Sequence, residues 1–147
     1  MGLREELEAS LKEAMRAGDD VRKRTLRMAL SAIRLAEIDK GARLDDSGVM
    51  AILQKEIKSR QESIADAERA NRPDLISESQ AEIIVIEGFL PKALSTAELD
   101  ELARQVIAEV GATNIKEMGQ VMKVLMPRLQ GRASGDQASQ AVRRLLQ

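Results

Sequence analysis

Apolar residues recur along this chain at spacings of three and four, the repeat of an α-helix that buries one face. Near the start they are Leu3, Leu7, Leu11 and Met15, and near the end they are Met118, Val121, Met122, Leu125 and Met126. Phe89 is the only aromatic residue, so the core must be aliphatic, which suits helices better than a sheet. The pattern predicts an all-α protein.

Glycine, proline and capping residues divide this pattern into seven helices. We expect Gly18, Gly41 and Gly111 to end helices, and Asp19 or Asp20, Thr113 or Asn114, and the box Ser95-Thr96-Ala97-Glu98 to begin them. The run Ile83–Ile86 could be a strand, but its flanks are helical, and it predicts a helix whose end is buried between others. The Pro91–Ser95 break separates a four-helix N-terminal domain, residues 1–92, from a three-helix C-terminal module, residues 93–147.

Composition excludes several classes of function. The net charge of −1 provides no global attraction for nucleic acid, so any such surface must be local. Cysteine and histidine are absent, and no phosphate-binding or cation-binding loop motif is present, so we predict no catalytic residue, no metal site and no cofactor. Without a run of ~18 apolar residues or a charged-then-apolar leader, we expect a cytoplasmic protein with no membrane partner.

The C-terminal segment carries the first candidate RNA-binding residues. Arg132 and Ser134 stand before the seventh helix, where backbone N–H groups and the helix dipole favour anions, and we expect Arg132 to be exposed. Lys116 and Lys123 are seven residues apart and could extend this surface. The alternative, that the flanking glycines only make a turn and Arg132 is solvated, is equally compatible with the sequence.

The second helix carries another candidate surface. Lys23, Arg27 and Arg34 lie within about 40° of one another at 100° per residue, and such a stripe can follow a phosphate backbone. An ordinary solvated helix face explains them more simply.

Gly119 and the methionines have structural interpretations. The glycine is placed among good helix formers and indicates a close helix–helix contact. The more specific alternative is that an RNA strand approaches the helix backbone at this residue. Five methionines are interpreted as core filling rather than as a binding surface: Met15, Met28, Met118, Met122 and Met126.

Several ordered motifs resemble the GatB/YqeY-like family. They are Lys-Glu-Ala-Met-Arg-Ala at 12–17, Leu53–Lys58, Phe89–Ser95, and Met-Gly-x-x-Met at 118–122 followed by Gly-Arg-Ala at 131–133. The last resembles the tail module of the B subunit of bacterial tRNA-dependent amidotransferases, in which the tail contacts tRNA. The resemblance also implies carbon–nitrogen ligase activity with glutamine as amido donor, although the catalytic domain of that subunit precedes the tail and has no counterpart here.

Together these features predict a non-catalytic RNA-binding module that reads tRNA shape, beside an aminoacyl-tRNA synthetase or amidotransferase. Because Trp and Tyr are absent, duplex shape is a better target than stacked bases. The first alternative is a protein–protein adaptor for a tRNA-processing or aminoacylation enzyme. The second is amide transfer itself, which rests only on the resemblance.

Overall fold

The computed structural model describes residues 2–147, and every regular element in that range is helical. The predicted all-α class is confirmed. The helices are α1 (Leu3–Ala17), α2 (Asp20–Lys40), α3 (Asp46–Arg69), α4 (Pro73–Glu87), α5 (Thr96–Val110), α6 (Met118–Leu129) and α7 (Gly135–Leu146). A single 3₁₀ turn, Ile115–Glu117, leads into α6. The chain forms two compact units, one ending at Leu90 and the other beginning at Pro91.

Helix boundaries follow local capping chemistry. Asp19 caps α2 by accepting from the Arg22 N–H, at 3.1 Å. Ser95 caps α5 by accepting from the Glu98 N–H, but the Glu98 carboxylate pairs with Arg132 instead of completing the predicted box. The full reciprocal box forms at α7, between Ser134 and Gln137. Such a cap stabilises a helix by about 1 kcal/mol.

The first unit packs α1 to α4 around an aliphatic core. Leu7, Leu26, Ile33 and Leu53 are fully buried, and Ile86 is 1% exposed. Each such side chain contributes about 1.5–3 kcal/mol through burial. The predicted burial of the end of α4 is only partly correct, because Ile86 is buried whereas Ile84 is 71% exposed. An amphipathic α4 turns only one side toward its neighbours.

The second unit packs α5, α6 and α7 around a smaller core. Its centre contains Val106, Val121, Leu125 and Val142, all fully buried. Pro127 lies within the last turn of α6, and the helix ends two residues later with Gln130 in the left-handed region, at φ 50°. The turn between α6 and α7 is therefore tight, and it brings Arg132 back toward the beginning of the unit.

The methionines divide between core and surface. Met118 and Met122 pack against the core of the second unit, as predicted. Met15, Met28 and Met126 are exposed by 51%, 49% and 39%, so their interpretation as core filling is wrong. For Met126 the reason is geometric, since Val121, Leu125 and Leu129 already occupy the inward face of α6.

A buried ionic cluster joins α3 and α4. Arg60, 6% exposed, donates from Nε to Glu82 Oε1 at 3.2 Å and from Nη1 to Glu56 Oε1 at 3.2 Å. Glu82 is itself 8% exposed, and its other oxygen lies 3.8 Å from Arg24 of α2. Burying either charge alone would be costly, so the cluster fixes how three helices pack.

Candidate nucleic-acid interface

Two exposed lysines and a glycine form one face of the second unit, here termed the lysine face: Lys116, Gly119 and Lys123. Lys116 lies in the 3₁₀ turn and Lys123 on α6, and neither side chain has an ion-pair partner within residues 2–147. Gly119 and Lys123 are four residues apart and therefore neighbours on the helix surface. The buried stripe of α6 points away from this face, which leaves both ammonium groups available to an anion.

Gly119 has no packing role. A Cβ built at this position meets nothing within 4 Å, and the residue lies in a helix that requires no glycine. The predicted close helix–helix contact is therefore wrong. In a helix interior a glycine costs about 1 kcal/mol relative to alanine; Gly119 is the second residue of α6, in its first turn, where the cost is smaller.

The sequence suggested that Arg132 is exposed and available to an anion. In the structure, its side chain forms contacts within the protein. Its Nε donates to the Lys92 carbonyl at 2.9 Å, and its Nη2 lies 3.6 Å from Glu98 Oε2. Its own carbonyl accepts from the Leu94 N–H at 2.9 Å. The side chain is 39% exposed and clamps the segment before α5 to the turn before α7.

Ser134 is also used by the fold. Its hydroxyl accepts from the Gln137 N–H at 3.1 Å, and its own N–H donates to Gln137 Oε1 at 2.9 Å. Both polar groups thus have local partners, and the residue acts as a helix cap.

Arginines of the second unit are mostly paired. Arg104, Arg128, Arg132 and Arg144 lie 2.6–3.7 Å from carboxylates of α5, whereas Arg143 is exposed without an ion-pair partner in residues 2–147. The unpaired lysines of the lysine face therefore differ from Arg128, Arg132 and Arg144, whose ion pairs join other segments of the unit to α5; the Arg104 pair lies within α5.

The Arg128–Glu109 pair has a pH dependence with a definite sign. Hydrogen bonds from the Arg128 guanidinium, at 2.9 and 2.6 Å, lower the pKa of Glu109 below its ordinary value of 4.5, against a smaller opposing effect of desolvation. A carboxyl with a lowered folded-state pKa stabilises the fold above its unfolded-state pKa and loses that contribution as pH falls. We expect Glu109→Gln to lower Tm at pH 7 but to differ progressively less from wild type below pH 4.5. Thermal unfolding followed by circular dichroism checks this, and a pH-independent difference would contradict it.

The second candidate surface, on α2, is only partly as predicted. Lys23 is half-buried, with its Nζ 3.8 Å from Asp20 Oδ1. Arg27 and Arg34 are exposed and have no ion-pair partner within residues 2–147. Large exposed aliphatic side chains, Leu35 and Ile38, lie beside them. The α2 surface is therefore mixed in character, and a phosphate backbone would match only its cations.

Ser95 and Ser134 cap helices, and residues 2–147 contain no group of three acidic side chains close enough to hold a metal ion. A depression of about 430 Å³ lies in the second unit between α5 and α7, lined by Arg104, Ile107, Thr113 and Leu145. It does not include the lysine face, which lies on an open helix surface.

The chain is an all-helical protein of two compact units. Its residues 4–146 match the family described as Yqey-like protein. The chain belongs to the Yqey-like family, as the resemblance in its motifs had indicated.

Curated relatives include proteins of several fungi, all named altered inheritance of mitochondria protein 41, mitochondrial. The Lachancea thermotolerans protein is 36% identical over 111 residues, which is 74% of this chain and 59% of that protein. The Pyrenophora tritici-repentis protein is 30% identical over 129 residues, 86% of this chain and 71% of that protein. The Vanderwaltozyma polyspora protein is 39% identical over 85 residues, 57% of this chain and 46% of that protein. The matches thus span about half to seven-tenths of the relatives.

These names contradict the expected cytoplasmic location, because the relatives are named as mitochondrial proteins. The expectation rested on the lack of a charged-then-apolar leader. Mitochondrial targeting segments are amphipathic and rich in arginine, so that criterion cannot detect them. Among the helices of residues 2–147, none combines the length and apolar character that crossing a bilayer requires.

Proposed function

We propose that this protein is a non-catalytic RNA-binding module whose lysine face contacts the phosphate backbone of tRNA. The observation that carries the proposal is Gly119, an open helical glycine without a packing role between two unpaired cations. A missing side chain at that point lets a strand approach the helix backbone while Lys116 and Lys123 neutralise its phosphates.

The aromatic content supports a target recognised by shape. Phe89, the only aromatic residue, is half-buried in the first unit, and the Arg22 guanidinium lies 5.5 Å from its ring centroid. It offers no platform on which bases could stack. Contacts to phosphates and 2′-hydroxyls of a duplex fit this surface better.

The resemblance to the amidotransferase tail points to tRNA as the RNA, with a synthetase or amidotransferase as the enzyme it accompanies. The amide-transfer activity implied by the same resemblance receives no support from a positioned nucleophile, because Ser95 and Ser134 both cap helices. We therefore assign the chain a binding role.

Substitution of Gly119 tests the proposed backbone approach. We expect Gly119→Gln to raise the free energy of unfolding by less than about 1 kcal/mol, because glutamine is a better helix former and enters open space, but the position is in the first turn of α6. The same change should weaken tRNA binding, since its side chain blocks the approach. Urea unfolding and filter binding at several salt concentrations measure the two effects.

The matched control for this test is Ala9→Gln, which adds the same side chain at an exposed position of α1. It should leave tRNA binding unchanged. If Gly119→Gln stabilised the protein and bound tRNA as wild type does, the lysine face would not be the RNA surface.

We also propose that α1 to α4 form one module and α5 to α7 another, and that the two fold separately. Lys92 belongs to the second module. A fragment beginning at Pro91 retains the Arg132 contact to the Lys92 carbonyl, whereas one beginning at Leu94 loses it. We expect the fragment from Pro91 to be helical and to unfold cooperatively, and the fragment from Leu94 to be less stable. Circular dichroism with thermal unfolding compares them, and a disordered longer fragment would refute separability.

A further inference from the structure

One side of the middle of α2 faces solvent. Most of the residues on this side are large and aliphatic or positively charged. This outer face consists of six exposed residues: Arg27, Met28, Ser31, Arg34, Leu35 and Ile38. At 100° per residue they lie within about 120° of one another. The opposite side buries Leu26, Ala29 and Ile33 in the core of the first unit. On the outer face, Met28 contacts the unit through its sulfur, which accepts from Arg60 Nη2 at 3.7 Å.

Aliphatic side chains form a continuous strip on the outer face. Leu35 is 61% exposed and Ile38 is 70% exposed, and these residues are three apart, which makes them neighbours on the helix. Met28, 49% exposed, lies two turns before Leu35, with the small side chain of Ser31 between them. Scattered exposed aliphatic residues need no explanation, but a strip about 15 Å long suggests a surface that is covered by a partner.

The charge of the outer face has one sign. Arg27 and Arg34 border the strip, and neither has an ion-pair partner within residues 2–147. The only acidic residue between Arg24 and Ile38 is Glu37, whose side chain is 18% exposed; the exposed Asp39 follows the face at its C-terminal end. The Leu44 N–H and the Arg4 guanidinium both donate to its carboxylate, and these hydrogen bonds lower the pKa of Glu37.

The aliphatic strip and the two arginines of the outer face distinguish between the molecules that could bind it. An RNA backbone would match the two arginines but would leave Leu35 and Ile38 against polar groups. A second copy of the chain would bring together two faces that each carry two arginines and no carboxylate, and such like-charge surfaces repel. An amphipathic helix with an apolar stripe and acidic borders matches both features at the i, i+3, i+4 and i+7 spacing used in helix recognition.

We propose that the outer face of α2 is the docking surface for an amphipathic helix of a partner protein, with acidic residues bordering its apolar stripe. The two arginines pair with its carboxylates, and Leu35, Ile38 and Met28 pack against its aliphatic side chains. This surface lies in the first unit and is independent of the RNA-binding function proposed for the second.

The test uses the full chain and a synthetic helical peptide of the length of α2, 21 residues, with leucines on one face and glutamates beside them. A peptide with lysine in place of each glutamate is the matched probe. We expect the acidic peptide to bind at least ~10-fold more tightly, with an affinity that falls as salt rises. Titration calorimetry measures both affinities.

Variants connect that binding to the outer face. Leu35→Glu with Ile38→Glu should weaken the acidic peptide at least ~10-fold, and Arg27→Ala with Arg34→Ala should remove most of the salt dependence. Ile84→Glu is the matched control, because Ile84 is 71% exposed on α4, and it should leave binding unchanged. All five side chains are exposed, so circular dichroism should show unaltered helicity.

Three outcomes would overturn the proposal. One is equal binding of the acidic and basic peptides, and another is peptide binding that the Leu35 and Ile38 changes leave intact. The third is that the acidic peptide does not bind, whereas tRNA or vesicles of phosphatidylglycerol and phosphatidylcholine do bind the full chain. In that outcome, Leu35→Glu with Ile38→Glu abolishes the binding of the tRNA or the vesicles.

Discussion

Removing the ammonium groups of Lys116 and Lys123 together is expected to weaken tRNA binding by roughly 10–100-fold at ~0.1 M salt. Each phosphate contact releases condensed counterions, so the slope of log K against log salt should fall by about one unit per lysine. Different tRNA sequences should be affected about equally, because phosphate contacts position an RNA without specifying its bases. Filter binding of two tRNAs across a salt series measures both quantities.

The matched control is Lys40→Ala with Lys55→Ala in the first unit. Both lysines are exposed, and in the part of the chain that the structure describes neither has an ion-pair partner. The control removes the same charge and should leave the salt slope near that of wild type. An equal loss in both double variants would indicate a net-charge effect and would contradict a localised site.

Replacing Arg60 by methionine is expected to lower the free energy of unfolding by about 3–5 kcal/mol, because it leaves the buried Glu82 carboxylate without its nearest partner. Methionine retains an unbranched apolar side chain, so the loss reports mainly on the charge. Urea unfolding at pH 7 measures it.

Two comparisons separate the ionic effect from general damage to α3. Arg69→Ala removes a surface ion pair with Asp66 on the same helix, and we expect a change of only ~0–1 kcal/mol. Arg60→Met with Glu82→Leu should recover much of the stability, since apolar replacement of a whole buried pair is often neutral. A double variant as unstable as Arg60→Met would show that the charge on Glu82 is not the cause.

Features set by neighbouring residues were predictable from the sequence. Asp19, Ser95 and Gly41 cap their helices, because a cap depends on residues within one turn. The aliphatic composition likewise predicted the all-α class, since it provides the residues that suit packed helices.

Features set by distant residues were not predictable. The guanidinium of Arg132 donates to a carbonyl 40 residues away, and the Arg60–Glu82 pair spans 22 residues. Gly119 was misinterpreted because a sequence does not show whether a helical glycine faces a neighbour or solvent. The exposure of Ile84 and Leu35 depends on where the other helices pack, which periodicity alone leaves open.

In the second unit the paired cations are arginines and the lysines of the lysine face are unpaired, so acylation of amines distinguishes the two groups. The arginines that pair with α5 carboxylates are inert to amine-directed acylating reagents, whereas Lys116 and Lys123 are exposed amines. Acetylation would discharge the lysine face while leaving those arginine pairs intact. With Lys92, the third exposed lysine of this unit, these amines can all be discharged without breaking an ion pair shown among residues 2–147.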